Sequence, residues 1–119
     1  MARIAFIKHN ETEILHLDFS NCKPDDVFPI VEEAKKAIST RPQNSVRTLT
    51  DVTNMRFDER VSEKMKEFTV HNRPYVRAAA VVGVEGVKKI ILNAVMLFSK
   101  RKFHTFDDVA SAKNWLIAN

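Results

Sequence analysis

The chain has 119 residues, of which 45% are hydrophobic and 29% are charged. This length suits one domain with its own hydrophobic core, and the composition is that of a folded protein, not a disordered one. Cys22 is the only cysteine, so an intrachain disulfide is excluded. No stretch approaches the roughly 18 apolar residues that span a bilayer, and nothing near Arg3–His9 resembles a signal peptide. We therefore expect a cytoplasmic protein without a transmembrane segment.

The net charge of +4 is unevenly distributed along the chain. Residues 1–60 hold 9 Lys/Arg against 10 Asp/Glu, a balance of −1, whereas residues 61–119 hold 10 against 5, a balance of +5. A basic half is typical of proteins with an anionic partner. An excess of solvated surface lysines produces the same positive balance, and we favour this second interpretation. Because no aromatic residues are interleaved with the three consecutive basic residues at 100–102, nucleic acid is not expected as a partner.

The first third of the chain predicts two strands and a helix. Residues Arg3–His9 and Glu13–Phe19 alternate in hydropathy and predict an antiparallel hairpin at one edge of a sheet. Asp25 or Asp26 can cap a helix that runs to about Thr40. Its inward stripe is predicted to be Val27, Ile30, Val31, Ala34, Ala37 and Ile38.

The middle of the chain predicts a further strand and helix. Residues Ser45–Val52 predict the strand, and Asp58 is a good N-cap for a helix that ends near Asn72, before Pro74. The inward stripe of this helix is predicted to be Val61, Met65, Phe68 and Asn72.

The segment from Val76 to Phe98 reads as the centre of the fold. Its first part is a nearly continuous run of Val and Ala, which predicts a strand covered on both faces. Gly83 and Gly86, the only glycines, stand where this strand gives way to a helix. The inward stripe of that helix is predicted to be Val87, Ile90, Ile91, Ala94, Val95 and Phe98.

A short last strand at Lys102–Phe106 and a final helix complete the chain. Asp107 or Asp108 caps this helix, whose apolar residues are Val109, Ala112, Trp115 and Leu116. The order is therefore ββαβαβαβα, with four helices. Strands alternating with helices predict an α/β fold in one domain, 1–119, with a mainly parallel sheet of about five strands and an antiparallel N-terminal edge strand.

This order of motifs resembles the STAS domains of anti-sigma-factor antagonists, and more closely the small bacterial STAS/SEC14-type, SpoIIAA-like proteins. The segments that carry the resemblance are Leu49–Asn54, Arg56–Asp58, Ala80–Val84, Phe106–Asp108 and Ala112–Leu116. Each is weak alone, and it is their order along nearly the whole chain that carries the resemblance. It implies the SpoIIAA-like fold, with successive β-α units in a superhelix.

The resemblance also implies a partner-docking site between Asp51 and Ser62. In STAS antagonists one Asp ends a strand, and a second precedes a phosphorylatable serine at the next helix start. Asp51 and Asp58 match these two positions, but Glu59 stands in place of the serine, so control by a kinase at this position is not expected. The predicted partner-binding residues are Asp51, Thr53, Asn54, Asp58, Glu59 and Ser62.

A weaker expectation concerns the turn after the Val-Ala strand. Backbone N–H groups at a helix start can hold an anion, and Gly83, Glu85, Gly86 and Lys88 surround this one. The spacing fits neither nucleotide-binding fingerprint, so a purely structural turn is favoured.

The helix after Gly86 is apolar around most of its circumference, because Leu92, Met96 and Leu97 extend its stripe. Such a helix is either deeply buried, here under the terminal helix with Trp115, or covered by a second copy or a lipid. Leu92 and Met96 are the predicted contacts of such a homodimer.

Three functions remain open at this point. A non-enzymatic STAS-like interaction domain with a protein partner is favoured; a SEC14-like carrier of a lipid or an anionic small ligand ranks second, and an enzyme ranks last. The four histidines are scattered and no catalytic constellation appears, so neither a metal site nor a cofactor is expected.

Overall fold

The computed structural model describes residues 3–119 and shows a five-stranded sheet with four helices. The elements are β1 (Ile4–His9), β2 (Thr12–Asp18), α1 (Pro24–Ser39), β3 (Val46–Asp51), α2 (Glu59–Asn72), β4 (Val76–Val82), α3 (Val87–Ser99), β5 (His104–Phe106) and α4 (Val109–Ile117). The strands stand in the sheet in chain order, β1-β2-β3-β4-β5. β1 is antiparallel to β2 and the other pairings are parallel. The predicted α/β fold with an antiparallel first strand is confirmed.

The hairpin between β1 and β2 turns within two residues. Asn10 and Glu11 both have positive φ, 50° and 67°, as a tight turn of the primed type requires. The register pairs His9 with Thr12 and Ile4 with Leu17. The turn forms without glycine, which is the usual residue at such positions.

Three helices share one face of the sheet. Each parallel connection moves one strand further in the same direction, so right-handed crossovers bring α1, α2 and α3 to the same side. Their core includes Leu15, Leu17 and Val81 from the sheet and Phe19 just after β2. The last helix, α4, covers the opposite face, where Ala112 and Leu116 pack with Leu49 and Ala80.

β4 is enclosed by its neighbours, as predicted. It pairs with β3 along one edge and with β5 along the other, and Ala78–Val82 are all buried. Val81 belongs to the core under α1, α2 and α3, whereas Ala80 and Val82 belong to the core under α4. A strand buried on both faces has no need of alternating polar residues, which explains its continuous apolar run.

The predicted stripes of α1 and α2 are confirmed, apart from one half-buried alanine. Val27, Ile30, Val31, Ala34 and Ile38 of α1 are buried and Ala37 is half-buried; Val61, Met65, Phe68 and Asn72 of α2 are buried. The predicted cap of α1 is wrong. That helix begins at Pro24 after Lys23, and Asp26 Oδ2 accepts a hydrogen bond from the Lys23 N–H at 3.0 Å. Asp58 and Asp108 do cap α2 and α4.

The predicted inward stripe of α3 is wrong at four of its six positions. Val87, Ile90 and Phe98 are 67%, 70% and 58% exposed, and Ala94 is also exposed. The inward residues are Val95 and Ser99, which are buried, with Ile91 and Leu92 half-buried. Almost every position of this helix is apolar, so the periodicity of the sequence could not fix which side faces the sheet.

Of the two alternatives for α3, burial under α4 and Trp115 is wrong, because α4 lies on the other face of the sheet. Trp115 instead packs against His104 and Phe106, with ring centroids 4.3 Å and 5.7 Å apart. Leu92 and Met96 are half-buried on the underside of α3, so its outermost apolar residues are others.

Candidate functional site

Two adjacent strands end in the same polar turn. After β3, Asp51 Oδ1 accepts hydrogen bonds from the Thr53 N–H at 2.9 Å and from Thr53 Oγ1 at 2.6 Å. After β2, Asp18 Oδ1 accepts equivalent bonds from Ser20, at 2.9 Å and 2.5 Å. Asp18 and Asp51 are register partners in the sheet, so the two turns lie side by side.

The asparagines that follow these turns continue the correspondence. Asn21 and Asn54 have φ of 60° and 55°, the left-handed conformation that asparagine tolerates best among non-glycine residues. Asn54 Nδ2 donates to Asn21 Oδ1 at 3.3 Å. The chain thus carries the motif Asp-x-Ser/Thr-Asn twice, at residues 18–21 and 51–54. Sequence reasoning found only the second copy; the signal for the first was this short internal repeat.

Backbone hydrogen bonds tie these turns to their neighbours. The Phe19 and Asn21 N–H groups donate to the carbonyls of Asp51 and Thr53, both at 2.9 Å. The Arg56 N–H donates to the Cys22 carbonyl at 3.0 Å. We call this surface, formed by residues 18–22, 51–59 and 83–86, the strand-end rim. Its shape is set by hydrogen bonds within the chain.

Arg3 braces the first turn. Its guanidinium donates to the Ser20 carbonyl at 2.8 Å and lies 3.7 Å from an Asp18 carboxylate oxygen. Burial would raise the pKa of the Asp18 carboxyl, but the hydrogen bonds from Ser20 and the charge of Arg3 outweigh it, so this pKa lies below its usual value. The carboxylate is therefore held in its charged form.

Asp58 at the start of α2 has a capping role. Its Oδ1 accepts a hydrogen bond from the Val61 N–H at 2.9 Å, and its Oδ2 accepts one from Arg60 at 3.0 Å. The hydrogen bond from Val61, together with those from Arg60, holds the pKa of the Asp58 carboxyl below its usual value. Arg60 also reaches Asp25 Oδ1 at 3.2 Å, which links the starts of α1 and α2.

Glu59 and Ser62 occupy the first turn of α2. Glu59 is exposed, and its carboxylate stands where the positive end of the helix dipole favours a negative charge. Ser62 is half-buried, and its N–H donates to the Asp58 carbonyl at 3.0 Å within the helix. Of the predicted docking residues, Thr53, Asn54 and Glu59 are exposed, whereas Asp51, Asp58 and Ser62 are half-buried.

The turn between β4 and α3 joins the rim through direct contact. A Cβ added at Gly83, whose φ is +88°, would lie 2.6 Å from Thr53 N and 2.8 Å from Thr53 Cα. Lys88 Nζ donates to the Val52 carbonyl at 2.9 Å, so this ammonium points toward the rim backbone. The two separately predicted sites are thus parts of one continuous surface, on which Glu85 and Gly86 are exposed.

A small cavity lies beneath the rim, between the sheet and helices α2 and α3. Its volume is about 70 Å³, and it is lined mainly by apolar side chains, with Thr48, Thr50, Asn72 and Arg101 among the polar ones. Burial, with a smaller contribution from the charge of Arg73, lowers the pKa of Arg101 to about 10. Arg101 remains charged at neutral pH, and no carboxylate between residues 3 and 119 forms an ion pair with it.

Two kinds of site are absent from the part of the chain that the structure describes. No three His, Cys, Asp or Glu side chains there gather as metal ligands would. None of the helices in that part has the combination of length and apolar character needed to span a membrane.

Comparison with known proteins adds no assignment, because no family model, curated protein or solved structure matches this chain.

The contact of Gly83 with Thr53 makes a testable prediction. Gly83→Ala should lower the free energy of unfolding by about 1–3 kcal/mol more than Gly86→Ala, because its methyl group overlaps the Thr53 backbone. Gly86 is the matched control: its φ of +58° is strained for alanine too, but its Cβ would meet open space. Urea unfolding measures both variants. Equal losses would contradict the proposed close approach.

Proposed function

We propose that this chain is a non-enzymatic STAS-like interaction domain that docks a protein partner on the strand-end rim. The observation that carries the proposal is that hydrogen bonds within the chain itself fix the shape of the rim. Five main-chain and side-chain hydrogen bonds of 3.0 Å or less hold Phe19, Asn21, Thr53 and Arg56 in place. A surface that is ordered before binding loses little conformational freedom when a partner arrives.

The chemistry of the rim supports binding over catalysis. The carboxylates of Asp18, Asp51 and Asp58 accept hydrogen bonds from groups within two or three residues of themselves, which fixes the local backbone. The pKa values of Asp18 and Asp58 lie below the usual range, whereas a general acid or base at neutral pH needs a raised carboxyl pKa. The exposed side chains of the rim, Thr53, Asn54, Arg56 and Glu59 among them, are suited to hydrogen bonding and ion pairing.

Glu59 departs from the pattern of STAS antagonists and narrows what the resemblance implies for this chain. When Asp51 and Asp58 are matched to the two aspartates of the STAS pattern, Glu59 falls at the position of the phosphorylatable serine. Its exposed carboxylate provides a permanent negative charge at the start of α2. We infer a domain whose docking does not depend on a kinase acting at this position.

A second candidate function is that of a small-ligand carrier, and the cavity beneath the rim favours it. About 70 Å³ has room for roughly two or three water molecules, so a compact ligand fits and an acyl chain requires α3 to move outward. Arg101 gives such a ligand a positive group at the cavity wall, so its chemistry would be that of a small anion with an apolar part.

Docking on the rim is tested by a charge exchange. A partner captured from the source cell would be purified, and its affinity would be measured by calorimetry for wild type and for Arg56→Glu with Glu59→Lys. Both side chains are exposed on the rim, so we expect a loss of affinity of at least about tenfold with the fold unchanged. Glu33→Lys with Lys36→Glu makes the same exchange on the exposed side of α1 and should bind as wild type. Equal affinities for both double variants would overturn the assignment of the rim.

The carrier function is tested by native mass spectrometry of the purified protein. It requires a co-purified adduct that Ala79→Leu removes, because Ala79 is buried and lines the cavity. Ala110→Leu adds the same atoms at an exposed position of α4 and should retain the adduct. A wild-type mass without any adduct would remove the support for a carrier.

A further inference from the structure

The outer side of α3 carries the most exposed large apolar side chains of residues 3–119. Leu97 is 82% exposed, more than Val87, Ile90 or Phe98. At 100° per residue these four, with Ala94, fall within an arc of about 100° and extend along about 17 Å of the helix. We call them the apolar strip. Val70 of α2 is also exposed and borders the same shallow depression as Phe98.

Basic residues lie at both ends of this strip, whose own residues are all apolar. Between Gly86 and Phe106 the sequence has five Lys or Arg and no Asp or Glu. Beyond the end of α3, Arg73, Arg77, Lys100, Arg101 and Lys102 line one depression. We call these five the basic cluster. Four of them are exposed, and Lys89 is exposed at the opposite end of the strip.

Two acidic residues of α2, Glu63 and Glu67, line the depression beside Phe98, but both pair with lysines. Glu32 and Glu67 pair with Lys64 at 2.9 Å and 3.3 Å, and Glu67 also pairs with Lys35 at 3.0 Å. These contacts balance two carboxylates against two lysines between α1 and α2. On the side of α2 toward α3, Lys66 lies 5.5 Å above the ring of Phe98 and pairs with Glu63 at 3.3 Å. Glu85 is also exposed just before Val87, but Lys89 and the basic cluster outnumber it, so the balance of charge next to the strip is positive.

We propose that the apolar strip and the basic cluster bind the surface of an anionic lipid bilayer. A helix with an apolar side and basic residues beside it can lie in the membrane interface, with its apolar side chains among the acyl chains. Long lysine and arginine side chains then extend to the lipid phosphates. This surface adjoins the strand-end rim where Gly86 precedes Val87 and extends away from it along α3.

The charge of the surface disfavours a second copy of the chain as its occupant. A two-fold dimer would place this surface against itself, and the five charged residues between Gly86 and Phe106 are all positive, so their charges would repel across the interface. A bilayer with anionic headgroups provides both negative charge and an apolar phase. A second copy of the chain has no excess of negative charge on this surface.

Vesicle binding tests the proposal. Sedimentation would compare vesicles of phosphatidylcholine alone with vesicles that also contain phosphatidylglycerol, at low and high salt. Wild type should bind the anionic vesicles only, and less at high salt, because salt screens exposed charges. Ile90→Ser with Leu97→Ser should lower the partition coefficient about 100-fold, since two apolar side chains no longer enter the bilayer. Lys100→Gln with Lys102→Gln should lower it about tenfold or more.

Two controls make the result specific. Lys8→Gln with Lys36→Gln removes the same charge at exposed positions of β1 and α1, and should change binding less than about twofold. Circular dichroism establishes that each variant keeps its fold. Absence of binding to anionic vesicles, or binding that the strip variant leaves unchanged, would overturn the proposal. A dimer seen by light scattering that Ile90→Ser with Leu97→Ser abolishes, without vesicle binding, would assign the strip to a second copy instead and also overturn it.

Discussion

The arrangement of this protein depends on one constraint, the parallel succession of β2, β3, β4 and β5 in chain order. Because each crossover has the same hand and moves in the same direction, α1, α2 and α3 must line up on one face. α2 lies between two helices, whereas α3 stands at the end of the row and has only α2 as a close helical neighbour. The helix with the most apolar sequence therefore keeps one side uncovered.

The same parallel succession also builds the rim. The carboxyl ends of β2, β3 and β4 come to one edge of the sheet, as in other open α/β sheets, where ligands gather at such edges. Here two Asp-x-Ser/Thr-Asn turns and the Gly83 turn interlock through hydrogen bonds and direct contact. The protein thus has a polar rigid edge and an apolar helical side, and these two surfaces differ in the class of partner each can recognise.

Much of the fold could be predicted from the sequence, because local signals agreed with the tertiary structure. Asp58 and Asp108 cap the helices that follow them, and α2 has one narrow apolar stripe, so only one of its sides could face the sheet. The orientation of α3 could not be predicted, since nearly all its positions are apolar and the choice is made by packing around Val95 and Ser99. In the rim, Asp51 and Thr53 were anticipated, but Asp18 was not, because its partner turn lies 33 residues away in sequence and meets it only through the sheet.

Everything inferred about α3 depends on its orientation at the end of the helical row, with Leu97 in water and Val95 against the core. Thiol labelling of lipid-free protein tests this directly, since the native Cys22 is buried and burial raises its pKa, which keeps it slow to react. Leu97→Cys should react with a water-soluble disulfide reagent as fast as a free thiol, and Val95→Cys at least about tenfold more slowly, through local opening. Fast labelling at position 95 with protection at position 97 would contradict the account.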